Sequence, residues 1–175
     1  MSTVVKYGED LEIKPGRQIV HRSELSFDAT LSTLEAAIAA EDLWVVNRID
    51  PQMMLSKAGY EIRPARQIFY FHPRLMVRLL ATNPAAVVEV PLKFVALVGA
   101  DSCVTVRHPD IEAAFASYEG MSGFAAELAE GTRRIAARLA RPGAPSSPQF
   151  PHPSPESRYA SCRSSAIHSA VPPCS

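Results

Sequence analysis

The sequence predicts an α+β domain: a single mixed or antiparallel sheet of about five strands covered by helices, with C-terminal helices and a disordered tail. Three observations carry this. Short runs rich in branched and aromatic residues, "RQIVHRSEL", "WVVNRI" and "KFVALV", alternate along the chain with stretches whose apolar residues recur at helical spacing. The runs "KFVALV" (93–98) and "CVTVR" (103–107) flank "GADS", the pattern of a β-hairpin. At Arg141 the composition changes abruptly and helical periodicity ends. Mixed strands and helices in this order imply one sheet covered mainly on one face.

Residues 1–16 form an N-terminal arm ahead of a domain over 17–140. "RQIVHRSEL" (17–25) alternates in part and reads as a strand near an edge. Ser26 or Asp28 can then cap a helix, because a short polar side chain accepts from the unpaired N–H groups of the first turn. Leu31, Leu34 and Ile38 share one face of that helix, which runs to about Asp42. "WVVNRI" (44–49) is a second strand, closed by Asp50-Pro51. A helical turn over 52–58 precedes Gly59, Arg63-Pro64 makes a turn or extended link, and 66–71 is the third strand.

Helical spacing returns with Leu75, Leu79 and Leu80 and stops before Asn83-Pro84, since proline disfavours a helical residue ahead of it. After the hairpin, "IEAAFASY" leads to Gly120. A last helix from about Met121 carries Phe124, Leu128, Ile135 and Leu139. Its early Glu127 and Glu130 and its late Arg133, Arg134 and Arg138 complement the helix dipole. About 140 residues are enough for one real core.

Charge and composition exclude several classes of function. Residues 1–140 hold 15 basic and 17 acidic side chains, so the domain lacks the dense positive face that phosphate neutralisation needs, and no nucleic-acid partner is expected. No apolar run approaches the roughly 20 residues that span a bilayer. The amino terminus "MSTVVKYGEDLEIKPG" lacks a signal peptide's apolar centre. Three scattered cysteines, Cys103, Cys162 and Cys174, make neither a disulfide framework nor a C-x-x-C pair. A cytoplasmic protein with no membrane partner is expected.

The segment 141–175 contains eight prolines and nine serines and no leucine, too little apolar surface to offset its ordering entropy, so a disordered tail is expected. Its serine-proline spacing could serve a proline-binding domain, and its composition also fits a GC-rich gene read out of frame.

Three segments in order carry a family resemblance: "STLEAAIAAEDLWVVNRID", "KAGYEIRPARQIFYFHP" and "ATNPAAVVEVPLKFVALV". They resemble domain of unknown function family 302, small bacterial and archaeal α+β proteins, over roughly residues 17–108. The resemblance implies a compact, dimeric α+β domain and almost nothing about activity. Two departures bear on any site. Phe71-His72-Pro73 stands where the family commonly has Gly-Asn-Pro, and Asp50-Pro51 where it often has Asp-His.

His72 is the leading single candidate residue. It could ligate haem or a metal, with Met53, Met54 or Cys103 supplying a second ligand. No haem motif or zinc-type ligand cluster supports that role. The simpler reading is that His72 caps a helix starting at Pro73, a favoured first helical position. Cys103 and His108, five apart, would point to opposite faces of a strand. "GMSG" (120–123) precedes a helix and could hold a phosphate or mimic a nucleic-acid clamp, but lacks a nearby lysine or arginine, and Asp101-Ser102 reads as turn chemistry.

Arg63, Lys93 and Arg107 could converge on an anionic ligand, with Lys93 and Arg107 close to opposite each other across the hairpin. Exposed strand-end charges are the plainer alternative. No nucleophile–base–orienter set can be assembled. The sequence therefore points to a non-catalytic ligand-binding or interaction module, acting as a homodimer through the apolar run Ile68–Phe71 and the hairpin beside it. The alternative is a haem or metal protein using His72.

Overall fold

The structure is a computed structural model that describes residues 2–7 and 16–140. The expected tail, 141–175, and half of the expected arm lie outside the described residues. Seven strands and five α-helices run in the order β1 (Thr3–Val4), β2 (Gln18–Ser23), α1 (Phe27–Ala40), β3 (Trp44–Ile49), α2 (Pro51–Lys57), β4 (Tyr60–Glu61), β5 (Ala65–Phe71), α3 (Pro73–Thr82), a 3-10 helix (Pro84–Glu89), β6 (Leu92–Val98), β7 (Val104–Pro109), α4 (Ile111–Phe115) and α5 (Ser122–Ala137).

Five strands form the predicted sheet, in the order β2-β7-β6-β5-β3, with every neighbouring pair antiparallel. The first predicted strand, β2, lies at an edge as expected. A separate two-stranded pair, β1 parallel to β4, ties Thr3 and Val4 to Tyr60 and Glu61. These two-residue strands are too short for an alternation to reveal them.

The local chemistry that ends and starts each element follows the sequence. Ser26 Oγ accepts from the Ala29 N–H at 3.3 Å and opens α1. Asp50 Oδ1 accepts from Met53 N–H at 2.8 Å ahead of Pro51, opening α2. Both satisfy donors that the first helical turn leaves without partners. Asp42, which follows α1, adopts φ 54°, and a turn there redirects the chain into β3.

The core lies on one face of the sheet. Along β6, Leu92, Phe94 and Ala96 are buried while Lys93, Val95 and Leu97 between them are only half-buried. Along β7, Val104, Val106 and His108 are buried in the same alternation. Against that face pack Leu34 and Ile38 of α1, Leu75 and Leu79 of α3, and Phe124, Leu128 and Ile135 of α5, in one continuous cluster. Each such side chain contributes roughly 1.5–3 kcal/mol when fully buried.

Buried polar groups on this face are paired. Tyr70 Oη and Thr132 Oγ1 lie 2.9 Å apart, joining β5 to α5, and Ser23 Oγ and Thr30 Oγ1 lie 2.7 Å apart, joining β2 to α1. Glu41 accepts from Arg134, and Glu127 from Arg78, binding α5 to the end of α1 and to the middle of α3. These ion pairs are exposed and orient the helices more than they stabilise them. No described helix is long and apolar enough to cross a membrane.

Candidate anion-binding cleft

The opposite, outer face of the sheet carries the residues with unanswered chemistry. Arg107 of β7 lies between Val95 of β6 and Val20 of β2 in the strand register. Lys93, two residues along β6 from Val95, shares its face. The sequence placed Lys93 nearly opposite Arg107; the register instead puts Val95 there and Lys93 diagonal to it. At this corner Arg107, Lys93 and Val95 line a cleft of about 260 Å³ with Arg17, Gln18 and Pro109, and with His108 at its edge.

The cleft's electrostatics are one-sided. Among the described residues, ion pairs engage Arg22, Arg48, Arg66, Arg74, Arg78, Arg133 and Arg134, but none engages Arg17, Lys93 or Arg107. The Lys93 ammonium sits 5.9 Å from the centroid of the Phe69 ring, a cation–π arrangement that holds it over the outer face. The nearby carboxylate of Asp110 is already used: its Oδ1 accepts from Ala113 N–H at 3.1 Å, capping α4. Arg107 Nε is buried and has no hydrogen-bond partner among the described residues. A buried donor without an acceptor costs about 1–3 kcal/mol, so its presence calls for an explanation.

Beside the cleft, His108 Nδ1 lies 2.8 Å from the carbonyl of Pro109, and His21 Nε2 lies 3.0 Å from His108 Nε2. The carbonyl can only accept, so Nδ1 of His108 carries the proton and its Nε2 accepts from His21 Nε2–H. Burial, reinforced by the His108 imidazole, lowers the His21 pKa to about 4. Burial also lowers that of His108, against the opposing pull of the Pro109 carbonyl and Asp110. The pair is therefore neutral near pH 7. In the sequence, His108 has only Cys103 as a nearby candidate partner. His21 goes unmarked there, because the partnership depends on pairing two strands 87 residues apart.

Arg63 does not join the cluster. Its Nε donates to the Val98 carbonyl at 3.1 Å, at the other end of β6 from Lys93, and its guanidinium lies 4.5 Å from the Tyr7 ring centroid. It joins the N-terminal segment to the hairpin. Arg17 takes the place the sequence gave to Arg63. It carried no signal beyond its charge, and it reaches the cleft only because β2 pairs with β7.

His72 occupies the N-cap of α3, ahead of Pro73, and its Nδ1 accepts from Arg74 N–H at 3.1 Å. Trp44 packs edge-on against the ring, with centroids 4.9 Å apart. Accepting at Nδ1 places the ring proton on Nε2, so the lone pair a metal would need is already engaged. The proposed second ligands lie on other elements, Met53 and Met54 exposed on α2 and Cys103 at the β6–β7 turn. Among the described residues no three His, Cys, Asp or Glu side chains group to hold a metal.

Comparisons with known proteins agree on the architecture. A family model, "Domain of unknown function DUF302", matches residues 19–140. The crystal structure of an uncharacterised conserved DUF302 protein from Bacillus stearothermophilus superposes with a TM-score of 0.66 at 15% identity, covering 70% of this chain and 98% of that one. No curated protein matches the chain. With the family model spanning most of the chain and the same fold in a solved structure, the protein belongs to the DUF302 family.

Proposed function

We propose that the protein is a non-catalytic binding module for a small anionic molecule, held in the cleft of Arg17, Lys93 and Arg107 and working in the cytoplasm as a homodimer. The observation that carries this reading is a cleft whose three cations have no carboxylate partner among the described residues. An oxyanion would answer their charge and take hydrogen bonds from their accessible N–H groups. The cleft is smaller than the roughly 300–1,000 Å³ typical of drug-sized ligand sites, which favours a ligand smaller than a nucleotide. The adjacent imidazoles bond to each other and to backbone, and so are not set to move a proton on a ligand.

Thermal unfolding with a panel of carboxylates and phosphates, against sodium chloride at matched ionic strength, tests the reading. A ligand that binds only the folded state raises the midpoint. At least one anion should do so in the wild type and lose the effect in Lys93→Ala and Arg107→Ala. If no member of the panel exceeds chloride, the reading fails.

The homodimer draws on further residues beyond those the sequence suggested. Ile68, Tyr70 and Phe71 are buried within one chain, at 1%, 0% and 4% exposure, which leaves Phe69 as the partly exposed member of that run, beside the half-buried Val95 and Leu97 of the hairpin. Trp44 and Val46 on edge strand β3, and Val77 and Leu80 on α3, are exposed as well. Apolar groups on an unpaired strand edge favour association. Light scattering at micromolar concentration should give twice the chain mass, and a clean monomer would end this part of the proposal.

A further inference from the structure

Resting on the homodimer reading, we infer that two copies of this chain pair through strand β2, antiparallel about a two-fold axis at Ile19, so that their sheets join into one. The five-stranded sheet has two edges, β2 and β3, and they are finished differently. On β3 the register slips between Val45 and Asn47, a bulge that disrupts the ladder a further strand would need. Beside it, Asn47 Oδ1 accepts from the Arg48 N–H at 2.8 Å, so an edge donor is already answered. Such devices blunt an edge against pairing, and association through β3 would rest on side chains alone. On β2, Gln18–Ser23 face Pro109–Val104 without a break.

The ladder sets the direction of the β2 backbone. Asp110 N–H donates to the Arg17 carbonyl at 3.2 Å, so the odd-numbered residues of β2 turn their backbone groups towards β7. Gln18 and Val20 therefore turn theirs away from the sheet, where no hydrogen-bond partner meets them among the described residues. The side chains leave this edge equally open: Ile19 is 37% and Val20 44% exposed, on opposite faces of the strand. A second copy is self-complementary to this arrangement. With Ile19 facing its own counterpart, Gln18 of each copy opposes Val20 of the other, and each such pair exchanges both of its N–H···O=C bonds. The two isoleucines then meet as a non-hydrogen-bonded pair, the position where side chains stand closest. Arg17 lies at one end of the strand and Glu24 beyond the other, so antiparallel order sets each arginine towards the end that carries the partner's glutamate. Gln18 also lines the cleft, which places the partner's Val20 beside the cleft wall.

Proline at position 20 tests the seam, because the Val20 N–H takes no part in the β2–β7 ladder and proline is tolerated where an edge N–H faces outward. Light scattering at micromolar concentration should give twice the chain mass for the wild type and for Val46→Lys on β3. Val20→Pro should give the single-chain mass with an unchanged circular dichroism spectrum. A crosslink gives a second measurement that needs no loss of pairing. In a chain with Cys103, Cys162 and Cys174 changed to serine, Ile19→Cys should form a disulfide-linked dimer on mild oxidation, since Cα atoms of such a pair stand about 4.5 Å apart. Val46→Cys in the same background should not. A folded Val20→Pro that stays dimeric, a Val46→Lys that turns monomeric, or a dimeric Ile19→Cys that fails to crosslink would overturn the β2 seam and leave the homodimer standing. A monomeric wild type would remove the homodimer reading and the seam with it.

Discussion

Tyr70 and Arg107 each hold a polar group inside the protein, on opposite faces of the same sheet, and only one of them has a partner there. Tyr70 Oη bonds to Thr132 within a face closed by α1, α3 and α5, while Arg107 Nε is buried at the edge of a cleft with no acceptor among the described residues. The covered face shows what a stability-driven surface looks like: apolar side chains at full burial and each hydroxyl matched. The outer face keeps three cations without carboxylate partners among the described residues, and one buried donor, Arg107 Nε, whose lack of an acceptor costs stability. On the proposed function, folding and binding fall to opposite sides of five strands.

Breaking the covered face should produce the largest effect. Phe94 is fully buried at the centre of the sheet, stacked on Tyr70 with ring centroids 5.1 Å apart. Phe94→Ala should cost about 3–5 kcal/mol, the usual range for an aromatic deleted from a core, measured by urea unfolding. A loss under about 1 kcal/mol would mean that the core is not where the burial pattern puts it.

Acid should weaken the covered face next. The unfolded histidines take up protons near pH 6.5, but folded His21 resists until about pH 4, so protons bind the unfolded state first. Stability should be full above pH 6.5 and fall as the pH drops towards 4. Below about 4.5 the ion-paired carboxylates of Glu35, Glu41 and Glu127, whose pKa values are held down by Arg48, Arg134 and Arg78, begin to lose their own contribution. Between pH 6.5 and 5 the histidines act nearly alone. His21→Gln should flatten the unfolding midpoint across that interval; an unaltered slope would show that the pair is not the sensor.

The helix cap gives a smaller effect. His72→Ala removes the acceptor for Arg74 N–H and should cost up to about 1 kcal/mol, while His72→Asn keeps an acceptor in place and should cost less. Equal losses in chemical denaturation would show that packing against Trp44, rather than capping, is the residue's role.

The elements were legible because their signals are local. Ser26 and His72 announce helix starts within a few residues, and the alternation of "KFVALV" and "CVTVR" defines the hairpin without reference to the rest of the chain. The cleft was only partly legible. Lys93 and Arg107 share a hairpin, so their proximity could be anticipated, although the register differed by two residues. Arg17 and the His21–His108 bond depend on β2 folding back to pair with β7, a contact with no local trace. Arg63 looked equivalent to the other cations in sequence and differs only because the far end of β6 gives it the Val98 carbonyl.

The most direct test measures stability and anion affinity together in Arg107→Ala. Truncating a side chain on the outer face, and with it a buried donor that lacks a partner, should leave unfolding free energy within about 0.5 kcal/mol of wild type or slightly above it. Affinity for the anion that best stabilises the wild type should fall at least tenfold. A variant that is strongly destabilised, or that binds the anion as well as the wild type does, would contradict the division of labour between the two faces.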